Sequence, residues 1–322
     1  MKKFLLTFSF AIAATFAMAQ TKTYSDALNI NMDGTDMAPQ ESTIIVTLES
    51  DGTYTLALKN FVIVDSEMEM PIGNIVVNGI NATEANSIKT FSVEQEIVIQ
   101  PGDTENDWLG PSLMELPIKL NGKMTNGSLY CNIDIDLGGN IIKVVFGQDI
   151  IKTFSYEEDL VVSVGGESME PQRTTIYVDE VANSTYTLAL NNFELPDMPI
   201  GNIVLKSIEA TEENGVKSFA AQQTIVITPG DDNSKEWYGP GLGEMPINLN
   251  GKMTNYKLYC NIDLDFGEVI NVTFGQADLS GIENIAGEKG EKVIFDLTGR
   301  RVEDFTAPGI YIVNGKKVLF TK

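Results

Sequence analysis

Alternation of apolar and polar residues is the dominant pattern along this chain. From Leu129 to Asp136 apolar side chains occupy every second position, and residues 258–265 repeat the pattern. Alternation over such a length is typical of a half-buried β-strand, which turns one face to a core and the other to water. The helical period of apolar residues is absent from the repeated part of the chain. The pattern therefore predicts an all-β protein.

About eight alternating segments occur in the first half of the chain, separated by short stretches rich in Gly, Asn, Asp and Pro. No ten-residue helical pattern could connect parallel strands, so we expect antiparallel strands joined by hairpins and short loops. Closure of eight strands into an up-and-down barrel would remove exposed sheet edges, and a two-sheet sandwich is the alternative. The predicted strands lie near residues 24–32, 43–49, 53–63, 73–82, 88–100, 116–125, 128–137 and 141–147.

The chain contains two copies of one unit. TYTLALKNF at 53–61 returns as TYTLALNNF at 185–193, and LYCNID at 129–134 returns at 258–263. A period this long is typical of two similar domains rather than of a solenoid, whose units have about 20–50 residues. We therefore predict one barrel over residues 20–150 and another over residues 151–279. Exchange of strands between the copies is the rival arrangement.

The first 19 residues have the pattern of a secretory signal peptide. Lys2 and Lys3 precede an apolar run, and small residues at 17 and 19 form a cleavage site. The run is too short for a retained membrane anchor, and no later stretch could span a bilayer as a helix. We therefore predict cleavage between Ala19 and Gln20 and export of a chain without a membrane span.

The chain is strongly acidic, with a formal net charge of −23. Removal of Lys2 and Lys3 gives −25, and residues 282–322 carry seven basic and six acidic side chains, which leaves −26 on residues 20–281. This sign argues against binding to nucleic acid or to an anionic membrane surface, because both would be repelled. Solubility outside the cell explains the charge, and attraction of cations or of a basic partner is the alternative.

Residues with catalytic or metal-binding chemistry are scarce. The chain has no His, which removes the usual general base, the Ser–His and Cys–His pairs and the commonest zinc ligand. Acidic residues at 101–108 suggest calcium, but the second copy breaks their spacing. We therefore expect a protein that is not an enzyme and has no cofactor and no metal site.

Some polar residues share the apolar face of the predicted strands. A buried Gln without hydrogen bonds costs about 1–3 kcal/mol, so it needs a partner. Apolar walls with a few polar groups are typical of a small-molecule pocket, whereas a packed core would have these groups bonded to each other or to water. Both cysteines lie on this face of separate barrels, so we expect free thiols. The candidate ligand-binding residues are Tyr54, Gln95 and Cys131 in the first copy and Tyr186, Gln223 and Cys260 in the second.

The order of segments resembles that of the bacterial calycin-like, or lipocalin-like, secreted domains. In the first copy the matching strings are GNIVVNGI, IKTFSVEQEIVI, LPIKLNGKM, LYCNIDIDL and VVFGQ. The resemblance implies two tandem eight-stranded up-and-down antiparallel barrels with no catalytic residues. It favours a secreted or surface-exposed binding protein with a small apolar ligand in each barrel. The alternative is a structural or surface interaction protein with solid barrels and no small-molecule ligand.

The C-terminal segment, residues 280–322, is predicted to be a small β unit of a different kind. Residues 294–322 resemble the C-terminal sorting domain of substrates of the type IX secretion system. The matching residues are DLTGRR at 296–301, PGIY at 308–311 and GKKV at 315–318. The resemblance implies an outer-membrane secretion machinery as partner and delivery from the periplasm to the cell surface or medium. A β-module that folds back on the second barrel is the alternative.

Overall fold

The structure is a computed structural model, and its regular structure consists of β-strands and short 3₁₀ turns. In the part of the chain that it describes, no helix is long and apolar enough to cross a membrane. The predicted signal peptide, residues 1–19, lies outside the described residues. The described residues are 20–65, 68–196, 198–265, 267, 269–277, 279, 294–296, 300–302, 309–313 and 316–320.

The first copy folds into one curled antiparallel sheet. Its strands are β1 Gln20–Met32, β2 Thr35–Asp36, β3 Gln40–Leu48, β4 Tyr54–Asp65, β5 Met68–Ile80, β6 Ala82–Ala85, β7 Ile88–Ile97, β8 Leu116–Met124, β9 Leu129–Asp136 and β10 Ile141–Phe146. The order is β5-β4-β3-β1-β10-β9-β8-β7-β6, with β2 beside β1. The eight long strands lie where alternation predicts them, and β2 and β6 are short additions.

The second copy repeats this arrangement. Its strands are β11 Ile150–Val164, β12 Glu167–Ser168, β13 Gln172–Val181, β14 Tyr186–Leu195, β15 Met198–Ile208, β16 Ala210–Glu213, β17 Val216–Val226, β18 Glu244–Met253, β19 Leu258–Asp265 and β20 Val269–Phe274. Their order is β15-β14-β13-β11-β20-β19-β18-β17-β16, with β12 beside β11. Across the described strands every ladder joins segments of one copy, so the two barrels do not exchange strands. The predicted all-β class with two tandem barrels is confirmed.

The alternating pattern sorts side chains into a core and a wet surface. Along β9, Leu129, Cys131, Ile133 and Ile135 are buried, and the residues between them are half-buried. Burial of a Leu, Ile or Phe side chain stabilises the fold by about 1.5–3 kcal/mol. Inward-facing aliphatic and aromatic side chains form one continuous core cluster in each barrel.

Each barrel has a seam at which the ladder stops, between β5 and β7 in the first and between β15 and β17 in the second. One backbone pair bridges each seam, Asn74 with Gln100 and Asn202 with Thr228. In the second barrel, Asn202 N donates to Thr228 O at 2.9 Å and Thr228 N donates to Asn202 O at 3.2 Å. The barrels are therefore closed at this point by a single bridge rather than by a full strand pairing.

Glycine makes the bridge possible. Gly201 has a φ of +129°, and a Cβ atom at this position would overlap the carbonyl oxygen of Thr228. Gly73 meets Gln100 in the same way in the first barrel. Because glycine has no Cβ and tolerates positive φ, it allows the two backbones to approach.

A buried asparagine stabilises each seam. Asn202 is 2 % exposed; its Oδ1 accepts from Asn192 N at 2.7 Å, and its Nδ2 donates to Pro229 O at 2.8 Å and to Asp231 Oδ1 at 3.2 Å. Satisfaction of the whole amide removes the cost of burying it. Equivalent bonds in the first barrel join Asn74 to Asn60, Pro101 and Asp103.

The described C-terminal residues form a small antiparallel sheet. Its order is β22-β21-β23-β24, where β21 is Ile294–Phe295, β22 Arg301–Val302, β23 Gly309–Val313 and β24 Lys316–Phe320. Ile294 and Tyr311 are buried. These residues form a β unit, as predicted, and its function in sorting stays a prediction.

Candidate functional site

The two cysteines lie inside separate barrels. Cys131 and Cys260 are fully buried and are not joined by a disulfide, as the sequence predicts. Burial raises the pKa of each thiol to about 12, so the reactive thiolate is scarce near neutral pH. Their environment is that of small core residues rather than of a reactive site.

In the second barrel, Gln223 forms hydrogen bonds across the seam between β15 and β17. Gln223 is half-buried on β17; its Nε2 donates to Lys206 O on β15, and its Oε1 accepts from Lys206 N at 3.2 Å. The Gln223 side chain therefore hydrogen-bonds the backbone of the edge strand β15 at a position where no neighbouring strand pairs with it. The equivalent Gln95 is also half-buried.

The structure does not bring the six predicted residues together as two polar clusters. Tyr186 is buried in the second barrel, and Tyr54 is half-buried at the border of the first core. Among the described residues, no hydrogen bond joins Tyr186, Gln223 and Cys260. Ligand binding by these interior residues stays a prediction.

A cleft of about 640 Å³ lies between the two barrels. Strands β1 and β3 and the turn between β8 and β9 form the wall from the first barrel. The wall from the second barrel is the seam between β15 and β17, which includes Gln223 and Thr228. The first barrel therefore lies over the seam of the second, and the cleft is the space left between them.

The turn between β8 and β9 docks the first barrel onto the second. Thr125 Oγ1 donates to Asp179 Oδ2 at 2.6 Å, and Asn191 Nδ2 donates to the carbonyl oxygen of Asn126 at 2.8 Å. Gly127 packs so closely that a Cβ atom there would lie 2.6 Å from Asp179 Oδ2. The same turn of the second copy carries Tyr256, which is 89 % exposed. Only the turn of the first copy has the shape for this contact.

Comparison with known protein families identifies the two barrels. Residues 21–148 and residues 153–276 both match the model of the calycin-like beta-barrel domain. The chain belongs to the calycin-like β-barrel family. The matched segments cover the strands of both barrels and agree with the resemblance seen in the sequence.

Other comparisons add little to this family assignment. A crystal structure from Bacteroides fragilis NCTC 9343, of a protein provisionally described as an outer membrane protein, is 15 % identical to this chain. The match covers 79 % of this chain and 96 % of that chain with a TM-score of 0.30, which is too low to support an argument. No curated protein matches this chain in sequence.

Two ion pairs cross between the calycin-like barrels beside the cleft. Lys206 Nζ lies 2.9 Å from Asp26 Oδ2. Lys22 Nζ lies 3.6 Å from Asp231 Oδ2, which is an ionic contact but too long for a hydrogen bond. Burial lowers the pKa of Lys22, and the carboxylates of Asp231 and Asp179 oppose this shift. The ammonium group of Lys22 therefore has a carboxylate partner for its charge but no hydrogen-bond acceptor among the described residues.

Four buried polar atoms that line the cleft have no hydrogen-bond partner among the described residues. Their side chains extend from both barrels, and they make up half of the eight such atoms found in that part of the chain. An unpaired buried polar atom costs about 1–3 kcal/mol, so such atoms are rare in folded proteins. The four atoms are Lys22 Nζ, Ser128 Oγ, Asn191 Oδ1 and Thr228 Oγ1.

In the described part of the chain, no group of three or more Asp, Glu, Cys or His side chains could hold a metal ion. The cleft was not predictable from the sequence, because its walls come from distant segments, with residues 22–43 and 127–129 on one side and residues 191–228 on the other.

Asp179 is the most buried acidic side chain of the interface, with 0 % exposure. Burial raises its pKa, while the hydrogen bond from Thr125 and the charge of Lys22 act in the opposite direction. A carboxyl whose pKa is higher in the folded state binds more protons there than in the unfolded chain. Its contribution to stability is therefore lost as pH rises from the unfolded pKa, near 4, through the folded value.

We expect Asp179→Asn to stabilise the protein at pH 7 by about 1–2 kcal/mol, because it removes a buried charge and keeps an oxygen acceptor for Thr125. At pH 4 the difference should be smaller than at pH 7, since the raised pKa of Asp179 favours its neutral form at acidic pH. Urea unfolding at both pH values measures the effect, with the exposed Asp107→Asn as control. A variant that is less stable than wild type at pH 7, with no loss at pH 4, would contradict this assignment.

Proposed function

We propose that this protein is a non-enzymatic binding protein that holds a small molecule in the cleft between its two calycin-like barrels. The observation that supports this function best is that four buried polar atoms without a hydrogen-bond partner among the described residues line that one cleft. Its volume of about 640 Å³ falls within the range of about 300–1,000 Å³ that is common for ligand pockets.

The cleft is a better candidate than the interior of each barrel, where the sequence analysis places an apolar ligand. An eight-stranded barrel is only wide enough for its own side chains or one small ligand. Leu58, Leu120 and Phe146 are 0 % exposed within the first core, and Leu264 and Phe274 are equally buried in the second. This packing favours solid barrels. A surface interaction protein without a small-molecule ligand is the competing function.

We also propose that the protein acts outside the inner membrane. The signal-peptide pattern of residues 1–19 supports export, and the likeness of residues 294–322 to a sorting domain supports passage to the cell surface or medium. The four-stranded sheet of the C-terminal residues supports a unit with its own backbone pairing.

Native mass spectrometry of protein purified from its own host tests the binding function. We expect a small-molecule adduct on the wild-type protein and at least a tenfold reduction of that adduct on Lys22→Met. Methionine keeps most of the length of the side chain but removes the buried ammonium group. The control is Lys119→Met, because Lys119 is exposed on β8 and pairs with Glu94 at 2.7 Å, away from the cleft.

Three results decide between the functions. An adduct that is present on Lys119→Met and absent on Lys22→Met supports the cleft. Protein that is bare in all three forms favours the surface interaction protein. An adduct that survives Lys22→Met but is lost on Gln95→Leu would return the ligand to the interior of the first barrel.

A further inference from the structure

We propose that the ligand of the cleft is a neutral, hydroxyl-rich molecule of the saccharide class, an inference that rests on the proposed binding function. The atoms left unpaired in the cleft differ in what they require. The ammonium group of Lys22 only donates hydrogen bonds and the amide oxygen of Asn191 only accepts them, whereas the hydroxyl groups of Ser128 and Thr228 do both. Ser128 is 8 % exposed, so its hydroxyl group is deeply enclosed.

Complementary chemistry narrows the class of ligand. To pair with Lys22 a ligand needs an acceptor, and to pair with Asn191 it needs a donor. Carboxylate and phosphate groups that are fully ionised accept but do not donate, and an ammonium group donates but does not accept. A hydroxyl group does both, so a molecule with several hydroxyl groups can satisfy all four atoms without changing its charge.

The charges of the cleft favour a neutral ligand. Lys206 already pairs with Asp26, and Lys22 with Asp231, so each of the two ammonium groups has a carboxylate partner. Residues 20–281 carry a formal charge of −26, which repels anions from the surface as a whole. A cation would in turn meet the two ammonium groups of the walls. Desolvation of an additional charge therefore has no evident compensation here.

The residues that line the cleft suit a sugar better than a lipid. Eight of the twenty lining residues carry a hydroxyl group and three carry a carboxamide, whereas four are aliphatic. A fatty acid would need a continuous apolar surface to gain from burial. The aliphatic side chains are enough to contact the C–H faces of a sugar ring; they are Leu129, Val204, Ile225 and Val226.

Isothermal titration calorimetry on the full exported chain tests this inference, after a screen on an array of neutral glycans. The probes are the neutral saccharides selected by the array, with succinate as a carboxylate and octanoate as an apolar acid. We expect at least one saccharide to bind, and we expect neither succinate nor octanoate to bind. Affinity should fall at least tenfold in Lys22→Met and in Thr228→Val. It should stay unchanged in the controls Lys119→Met and Thr211→Val, because Thr211 is exposed on β16 and does not line the cleft.

The outcomes separate the class of ligand from the binding function. Binding of succinate or octanoate that depends on Lys22, without binding of any glycan, overturns the saccharide class and leaves a ligand-binding cleft. Glycan binding that is equal in all variants places the sugar elsewhere and overturns the inference. Absence of binding by every probe overturns the saccharide class, and bare protein in native mass spectrometry would then overturn the binding function as well.

Discussion

Gly201→Ala is expected to lower the free energy of unfolding of the second barrel by about 2–6 kcal/mol. Backbone strain at positive φ accounts for about 1–3 kcal/mol and steric overlap for about 1–3 kcal/mol. The φ of +129° is unfavourable for alanine, and its methyl group would overlap the carbonyl oxygen of Thr228. Relief of that overlap breaks the one backbone bridge that closes the seam.

A matched glycine separates the two causes. Gly215 also has a positive φ, of +78°, but a Cβ atom there has nothing within 4 Å. Gly215→Ala should therefore cost only about 1–2 kcal/mol, the usual penalty of the left-handed region. If the two variants lose equal stability, the close approach at the seam is not the cause.

The two tryptophans allow the unfolding of each barrel to be monitored separately by fluorescence. Trp108 lies in the first copy and Trp237 in the second, and the chain has two Trp in all. In a Trp108→Phe background, urea unfolding followed by fluorescence reports on the second barrel, and Gly201→Ala should shift only that transition. In a Trp237→Phe background, Gly73→Ala should destabilise the first barrel in the same way.

The seam also connects the fold to the cleft. The bridge that Gly201 permits holds Asn202 opposite Thr228, and both residues line the cleft. A variant that opens the seam should therefore weaken binding by the cleft before the barrel unfolds completely. The first barrel has the same seam, but its bridging residues Asn74 and Gln100 do not line the cleft.

Strand positions were predictable because the signal is local. Along β9 the alternation of Leu129, Cys131, Ile133 and Ile135 with polar residues needs no information from the rest of the chain. Each strand position follows from the period of two and from the Gly and Asn residues that interrupt it. The long repeat then indicated two similar domains rather than a solenoid.

The function of Gln223 was not predictable in this way. Alternation assigns its side chain to the face of the core, but alternation does not show which strands lie at the edge of a sheet. At such an edge, the side chain can reach the backbone of the strand opposite, and Gln223 pairs with Lys206 there. The location of an edge depends on pairing between distant segments, which a single sequence does not record.

The cleft left a signal in the differences between the copies. Residues that both copies share, such as Asn74 and Asn202, stabilise the seams. Residues that form the interface differ, because Lys22 corresponds to Phe154 and Gly127 to Tyr256 by position in the repeat. Both copies need the residues that form the barrel, whereas the residues that form this interface are needed in only one copy. Positions at which charge or size changes between the copies were therefore the available indication of the interface.

Deletion of residues 282–322 is expected to stop passage across the outer membrane and to trap the protein in the periplasm. This segment is nearly neutral, with seven basic and six acidic side chains, whereas residues 20–281 are strongly acidic. Strands β21 to β24 pair only with each other among the described residues. A receptor could therefore bind this unit without unfolding the second barrel.

Fractionation of the host into periplasm, cell surface and medium measures the effect of the deletion. The matched control replaces residues 282–322 with a flexible Gly/Ser segment of equal length, which separates the identity of the tail from its bulk. Both the truncated chain and the Gly/Ser chain should remain in the periplasm, and their barrels should unfold at the temperature of the full chain.

Fusion of the tail to an unrelated exported protein should bring that protein to the surface or medium. A truncated chain that still leaves the periplasm would show that the tail is not the sorting signal. A second barrel that melts several degrees lower without residues 282–322 would instead show that the segment folds back on it, because only lost contacts would lower its stability.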